Sequence, residues 1–185
     1  MLPKVRIIAG QWRGRKIEFL NLKSVRPTPD RVRETLFNWL APSIRNARCL
    51  DLFAGSGAIA FEALSRGADY AVLVDNNARV CKKLREQAEL IKADNLRVVH
   101  QDATQFINHS QDTFDIVFID PPFNSDLAST LLHVLPNTPI LNADAIIYVE
   151  TPVSKQLDIA QTGWHIVHSQ KTSQVRYSLL ETAKK

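Results

Sequence analysis

The stretch best suited to chemistry is FDIVFIDPPF, residues 114–123. Its apolar run from Ile116 to Ile119 is what a strand buried on both faces requires. The run stops at a carboxylate, Asp120, followed by Pro121 and Pro122, which cannot continue a ladder, and then by Phe123. A charged group, a stiff backbone and an aromatic ring are thereby set at the carboxyl end of a core strand, the edge at which open α/β sheets bind ligands.

Three further acids fall at comparable positions. Asp51 closes one β-prone run and opens the loop Leu52-Phe53-Ala54-Gly55-Ser56-Gly57, whose glycines permit a tight turn and close approach of a ligand to the backbone. Asp75 closes a second run, 24 positions after Asp51, where a carboxylate can take both hydroxyls of a ribose. Asp102 stands just past a third, placed to meet an adenine amino group. Gly55-x-Gly57-x-x-Ala60 satisfies the dinucleotide fingerprint, but that pattern alone has little specificity. An acid immediately before the glycine loop repels a pyrophosphate and attracts an ammonium group. A row of carboxylates facing ribose hydroxyls and amines therefore suits S-adenosylmethionine better than a nicotinamide dinucleotide.

The elements that must hold these groups alternate along the chain. Strands are expected at Ala47–Phe53, Tyr70–Val74, Leu96–His100, Phe114–Ile119 and Ala145–Val149, with helices over 58–65, 78–92 and 127–135. This is the pattern of a doubly wound, mostly parallel α/β sheet, Rossmann-like in class. Trp164–Ser169 and Val175–Leu180 are too close for a crossover helix and should pair as an antiparallel hairpin, completing seven strands. Before the sheet, the segment Arg26–Leu40 contains a helix start, with Thr28 as cap, Pro29 in the first helical position and Asp30 at the positive end of the dipole. Val32, Leu36, Trp39 and Leu40 form its apolar stripe.

The charge is concentrated at one end. Residues 1–33 carry nine basic side chains against Glu18 and Asp30, a net of +7, while the remainder carries 14 basic and 17 acidic ones, a net of −3. Such asymmetry points to a polyanion, most simply nucleic acid. Val5–Ala9 and Ile17–Leu20 read as a basic hairpin punctuated by Gly10 and Gly14. Arg6, Arg13, Arg15, Lys16 and Arg26 are the candidate phosphate contacts. Trp12 is either a base-stacking ring or a packed one.

Other chemistries find little support. Cys49 and Cys81 lie singly, without a CxxC. His165 and His168 are expected on opposite faces of their strand, and the other histidines are scattered, so no metal is expected. A nucleophile elbow around Ser56 would need glycines where Ala54 and Ala58 stand. No stretch has the length of a membrane span or a signal sequence, so a cytoplasmic protein without a membrane partner is expected.

Taken together, DLFAGSG at 51–57, Asp75 and DPPF at 120–123 resemble a class I S-adenosylmethionine-dependent methyltransferase acting on an exocyclic amine. RIIAGQWRGRK at 6–16 and RPTPDRVRETLFNWL at 26–40 narrow the resemblance to the RsmD family, the bacterial 16S rRNA guanine-966 (guanine-N(2)) methyltransferases. Ala9 and Pro29 depart from the family pattern at positions outside the chemistry. The resemblance implies that Asp51, Phe53, Ala54, Gly55, Ser56 and Gly57, with Asp75–Asn76 and Asp102–Ala103, hold the cofactor. It implies that Asp120, Pro121, Pro122 and Phe123 hold the target base, and that Arg26, Thr28 and Arg31 lie near the methionine end or the substrate entrance. Residues 1–25 would be an RNA-contacting arm and 26–185 the methyltransferase domain. The expected partner is 16S rRNA within a small-subunit assembly particle, met by a monomer. The rivals are a DNA adenine amino-methyltransferase with a similar signature, a nicotinamide-dependent oxidoreductase, and a non-catalytic RNA-binding assembly factor with the same fold.

Overall fold

The apolar run at 116–119 becomes the middle of the molecule because every side chain in it is buried. A computed structural model describes residues 2–22, 27–123 and 125–182. Among these, Lys4–Arg6 (β1) and Lys16–Glu18 (β2) form a small antiparallel sheet. The main sheet comprises Arg48–Asp51 (β3), Tyr70–Asp75 (β4), Leu96–His100 (β5), Phe114–Ile119 (β6), Leu141–Pro152 (β7), Trp164–Lys171 (β8) and Val175–Thr182 (β9). Its order is β5-β4-β3-β6-β7-β9-β8. The strands from β5 to β7 are parallel, and β9 is antiparallel to both β7 and β8. This is the expected class I methyltransferase arrangement. Strand order reverses between β3 and β6, and the crevice that opens at their carboxyl ends is where such sheets take ligands.

Helices cover both faces. Asp30–Trp39 (α1), Ala58–Ser65 (α2) and Ala78–Ile91 (α3) pack on one side, and Ala103–His109 (α4) and Leu127–Val134 (α5) on the other. Helix α4 was not expected from the apolar pattern; it starts because the Asp102 carboxylate accepts the Thr104 and Gln105 amides. Every residue of α2 is buried, as a helix without a polar face demands, and its outer side is covered by the N-terminal hairpin.

That hairpin corrects several expectations. Its strands are shorter than 5–9 and 17–20, because the Ile8 and Ala9 amides donate to the Glu62 carboxylate of α2 instead of to a partner strand. The Gln11 amide donates to the Ser65 carbonyl, and the Trp12 amide to the Ser65 hydroxyl. Gly10 has a φ of +83°, and a Cβ there would stand 1.7 Å from the Ser65 carbonyl oxygen. Trp12 is 7% exposed and belongs to the same core as Val5, Ile7, Ile17 and Phe19, so it is a packed ring and not a stacking platform.

Arg33 also departs from its expected role. Counted with the basic end of the chain, it is wholly buried, because four hydrogen bonds draw its guanidinium inward. Nε donates to the Thr28 carbonyl (3.2 Å), and NH1 to Glu62 (3.3 Å). NH2 donates to the Arg6 carbonyl (2.8 Å) and to Asp30 (2.6 Å). Thr28 does not cap α1: the helix begins at Asp30 after Pro29, with no side-chain cap. Phe37 joins the buried stripe of α1, while Trp39 stacks on His168 and Tyr177 at the sheet surface. A bulge at Val167 pairs His165 with Glu181 and His168 with Leu179, which places both histidines on one face and not on opposite faces.

Candidate active site

The carboxyl ends of β3, β4 and β6 bring the sequence-predicted acids to one edge. Asp51, the last residue of β3, is 3% exposed, and its Oδ1 accepts the Phe53 amide at 3.3 Å. Burial pushes its carboxyl up to about 7, and the negative charges of Asp120 and Asp75 push the same way. Asp75 ends β4; Oδ2 accepts the Gly55 amide at 3.0 Å and Oδ1 the Asn77 amide at 2.8 Å. Burial raises its carboxyl, and those two amide bonds oppose the rise. The acid thus ties the glycine loop to the end of the neighbouring strand and keeps the remaining lone pairs of its oxygens for a ligand.

The loop itself is shaped by glycine conformation. Gly57 has a φ of +75° and caps α2, and a Cβ there would stand 2.6 Å from the Phe61 ring and 2.7 Å from Leu84. Gly55 is also left-handed, at +49°. Ser56 is buried, with its hydroxyl accepting the Ala58 amide, and Ala54 is buried while Phe53 is half-buried. Asn76 and Asp102 are exposed at the same edge, and Ala103 is buried beneath them. The Asn76 carbonyl lies 3.1 Å from the His100 imidazole. One buried acid, a half-buried second and an exposed third make an acceptor set suited to an ammonium group, ribose hydroxyls and an amine, as S-adenosylmethionine presents.

Asp120 follows β6. It keeps part of its surface open, yet it lies deep in the protein, and burial pushes its carboxyl up to about 7 while the Thr28 hydroxyl pulls it down. Thr28 is buried at 6% exposure, so its place over the acid is the role the structure assigns it in exchange for the cap. Pro121 is buried, Pro122 is exposed, and the Phe123 ring is 39% exposed. An open ring beside a proline pair and a buried acid is free to stack on a flat ligand.

One acid of this edge escaped the sequence reading. β7 runs beyond Val149 to Pro152, so Glu150 stands near its carboxyl end, 5% exposed, with Oε1 accepting the Tyr148 hydroxyl at 2.7 Å. Burial raises the Glu150 carboxyl well above its ordinary value, the Asp120 charge adds to this, and the Tyr148 and Thr28 hydroxyls oppose it. The signal was present as an acid after the apolar run AIIYV, as on the other strands. Among the described residues, Asp51, Asp120 and Glu150 form no ion pair.

Glu150 also borders a cleft of about 260 Å³ lined by Pro121, Pro122, Ser125, Asp126 and Lys155, among others. Lys155 closes one end, donating to Asp126 (2.6 Å) and to the Ser125 carbonyl (3.1 Å). Arg31 is exposed in the first turn of α1 and forms no ion pair among the described residues, and Arg26 lies outside the described residues. Arg13, Arg15 and Lys16 are exposed on the hairpin, and Arg6 pairs with Asp30 at 3.3 Å.

Comparison with known proteins finds relatives along nearly the whole chain. The family profile described as conserved hypothetical protein 95 matches residues 5–181. Ribosomal RNA small subunit methyltransferase D of Escherichia coli K12 is 43% identical over 178 residues, covering 96% of this chain and 90% of its own length. The protein of the same name from Haemophilus influenzae is 42% identical over 182 residues, covering 96% and 94%. The solved structure of yhhF from Escherichia coli superposes with a TM-score of 0.89 at 43% identity, covering 97% of this chain and 98% of that one.

Proposed function

This chain belongs to the RsmD family of S-adenosylmethionine-dependent methyltransferases, and from that membership we propose that it methylates the exocyclic 2-amino group of a specific guanine in 16S rRNA. The observation that carries the reading is the placement of Asp120, Pro121, Pro122 and Phe123 at the carboxyl end of the central strand, beside the acids of β3 and β4. S-adenosylmethionine supplies an electrophilic methyl group on a sulfonium. Asp51, Asp75, Asp102 and the glycine loop are the residues to hold it.

A guanine amino group is a poor nucleophile because its lone pair is delocalised into the ring. Hydrogen bonds from its two N–H groups to the Asp120 carboxylate and the Pro121 carbonyl favour a pyramidal nitrogen and aim the lone pair. Orientation and fixed charge then supply much of the rate. Phe123 stacks on the base, which must leave its own stack to reach the acid. The exposed Arg13, Arg15 and Lys16 contact RNA phosphates, so residues 1–25 contribute binding and 26–185 chemistry. An assembling small-subunit particle met by a monomer is the proposed setting.

The test is tritium transfer from labelled S-adenosylmethionine to unmethylated small-subunit particles, naked rRNA and DNA, followed by digestion to nucleosides. Label on N2-methylguanosine from rRNA or particles is expected. Label on adenine, or on DNA alone, overturns the reading.

A further inference from the structure

Asp120 and Glu150 are neighbours across two parallel strands. Ile119 of β6 pairs with Val149 of β7, so the next residues, Asp120 and Glu150, stand side by side where β6 ends. Adjacent strands lie about 4.8 Å apart. Phe118 pairs with Tyr148, and the alternation of the pleat puts Asp120 and Glu150 on that same face, toward α1. The Tyr148 hydroxyl holds Glu150 Oε1 from one side, and Thr28 stands over both acids.

We propose that Glu150 is the positioning partner of Asp120: it carries the one proton of the pair, leaving Asp120 as the single charged acceptor turned to the amine. This rests on the amine-methylation reading above. Two buried carboxyl groups at this spacing cannot both ionise at moderate cost, so the pair keeps a proton near neutral pH. The groups facing Glu150 are Asp120 from β6, Asp51 from β3, Tyr148 on β7, Tyr177 opposite it on β9, and Thr28 from the segment before α1. The two acids among them raise its proton affinity, and the Tyr148 hydroxyl occupies Oε1. The site therefore favours the neutral acid on Glu150, whose O–H is the donor that steadies Asp120.

The methyl-transfer step itself balances without Glu150. The amine lone pair forms the N–C bond, the C–S bonding pair leaves to sulfur, and the proton on the methylated nitrogen passes to the Asp120 carboxylate. Glu150 acts by keeping Asp120 ionised, oriented and alone in its charge.

The experiment compares wild-type protein with E150Q and E150A in single-turnover methyl transfer across pH, with infrared spectra of each at neutral pH. The expected result is a loss of turnover in E150A of about 10–100-fold, the scale of a misplaced catalytic group. Gln, which keeps a donor and cannot ionise, rescues most of that loss and removes the alkaline decline of the wild type. The difference spectrum of wild type minus E150Q shows a protonated carboxylic acid band. Turnover in E150Q as low as in E150A, an unchanged alkaline profile, or a difference spectrum without the acid band overturns the proposal. If E150A does not fold, E150Q and the difference spectrum decide it. Wild-type protein that labels no exocyclic amine refutes the underlying reading, whereas amine labelling with the contrary variant results refutes this proposal alone.

Discussion

Arg33 on α1 and Glu62 on α2 form an ion pair at 3.3 Å in which both side chains are fully buried. Glu62 spends its other lone pairs on the Ile8 and Ala9 amides and on Arg66, and Arg33 reaches the Arg6 and Thr28 carbonyls. One acid and one guanidinium thus join the hairpin, two helices and the segment that holds Thr28 over Asp120.

Removing one partner of such a pair leaves an uncompensated charge. Glu62→Ala is expected to destabilise the protein by about 3–5 kcal/mol. Denaturant unfolding measures the loss, and hydrogen exchange at the Ile8 and Ala9 amides should speed up more than exchange in β6. Equal acceleration in both places would show that the acid does not anchor the hairpin locally.

At Asp120 the separation of binding from chemistry can be read directly. Asp120→Ala should keep the affinity for S-adenosylmethionine, measured by calorimetry, while turnover falls by about 10²–10³-fold, the cost of losing one fixed electrostatic contact to the reacting group. Unchanged turnover would remove Asp120 from the chemistry.

The pH profile follows from the same residue. Its carboxyl is raised to about 7, and the ionised form is the acceptor. Methyl transfer by the free enzyme, followed as kcat/KM, should therefore rise about tenfold per pH unit below that value and level above it, until Glu150 loses its proton at more alkaline pH. A profile flat from pH 5 to 8 would show that Asp120 ionises as an ordinary aspartate.

Asp51 sets stability against binding. Its carboxyl is at about 7 in the folded protein against an ordinary 3.8, so the buried neutral form is favoured at low pH. The cost of its charge is absent below pH 4, grows as pH rises, and is complete above 7, reaching at most about 4 kcal/mol at 1.4 kcal/mol per unit. Asp51→Asn should accordingly raise the melting temperature at pH 8, lose that advantage near pH 4, and bind S-adenosylmethionine about 10–100-fold more weakly. A melting temperature lowered at pH 8 would contradict the burial cost.

On the hairpin, replacing Arg13, Arg15 and Lys16 together by Gln should weaken RNA binding. The slope of log K against log salt should become shallower by about 2, at roughly 0.7 per lost phosphate contact on single strands. Filter binding across a salt series measures it. An unaltered slope would place the RNA contact elsewhere.

The parts of this protein readable in its sequence are those set by neighbours along the chain. A four-residue apolar run ending in Asp-Pro-Pro-Phe specifies a central strand and its terminus, and glycines at 55 and 57 specify the turn that follows β3. Strand periodicity and connection length likewise predict the parallel sheet and its antiparallel end. Folding decided which charges meet water. Arg33 and Arg13 look alike in a charge count, but Arg33 lies 29 residues from the Glu62 that buries it, while Arg13 stays exposed. Trp12 packs because Ser65, far along the chain, receives its backbone. Thr28 carries every local mark of a cap and serves instead over Asp120. Glu150 joins the site only because β7 extends far enough to lie in register with β6. Local pattern fixes strand ends and turns because those depend on dihedral preference and side-chain period. Desolvation and pairing depend on which distant segments close over a group, and only the tertiary structure decides that.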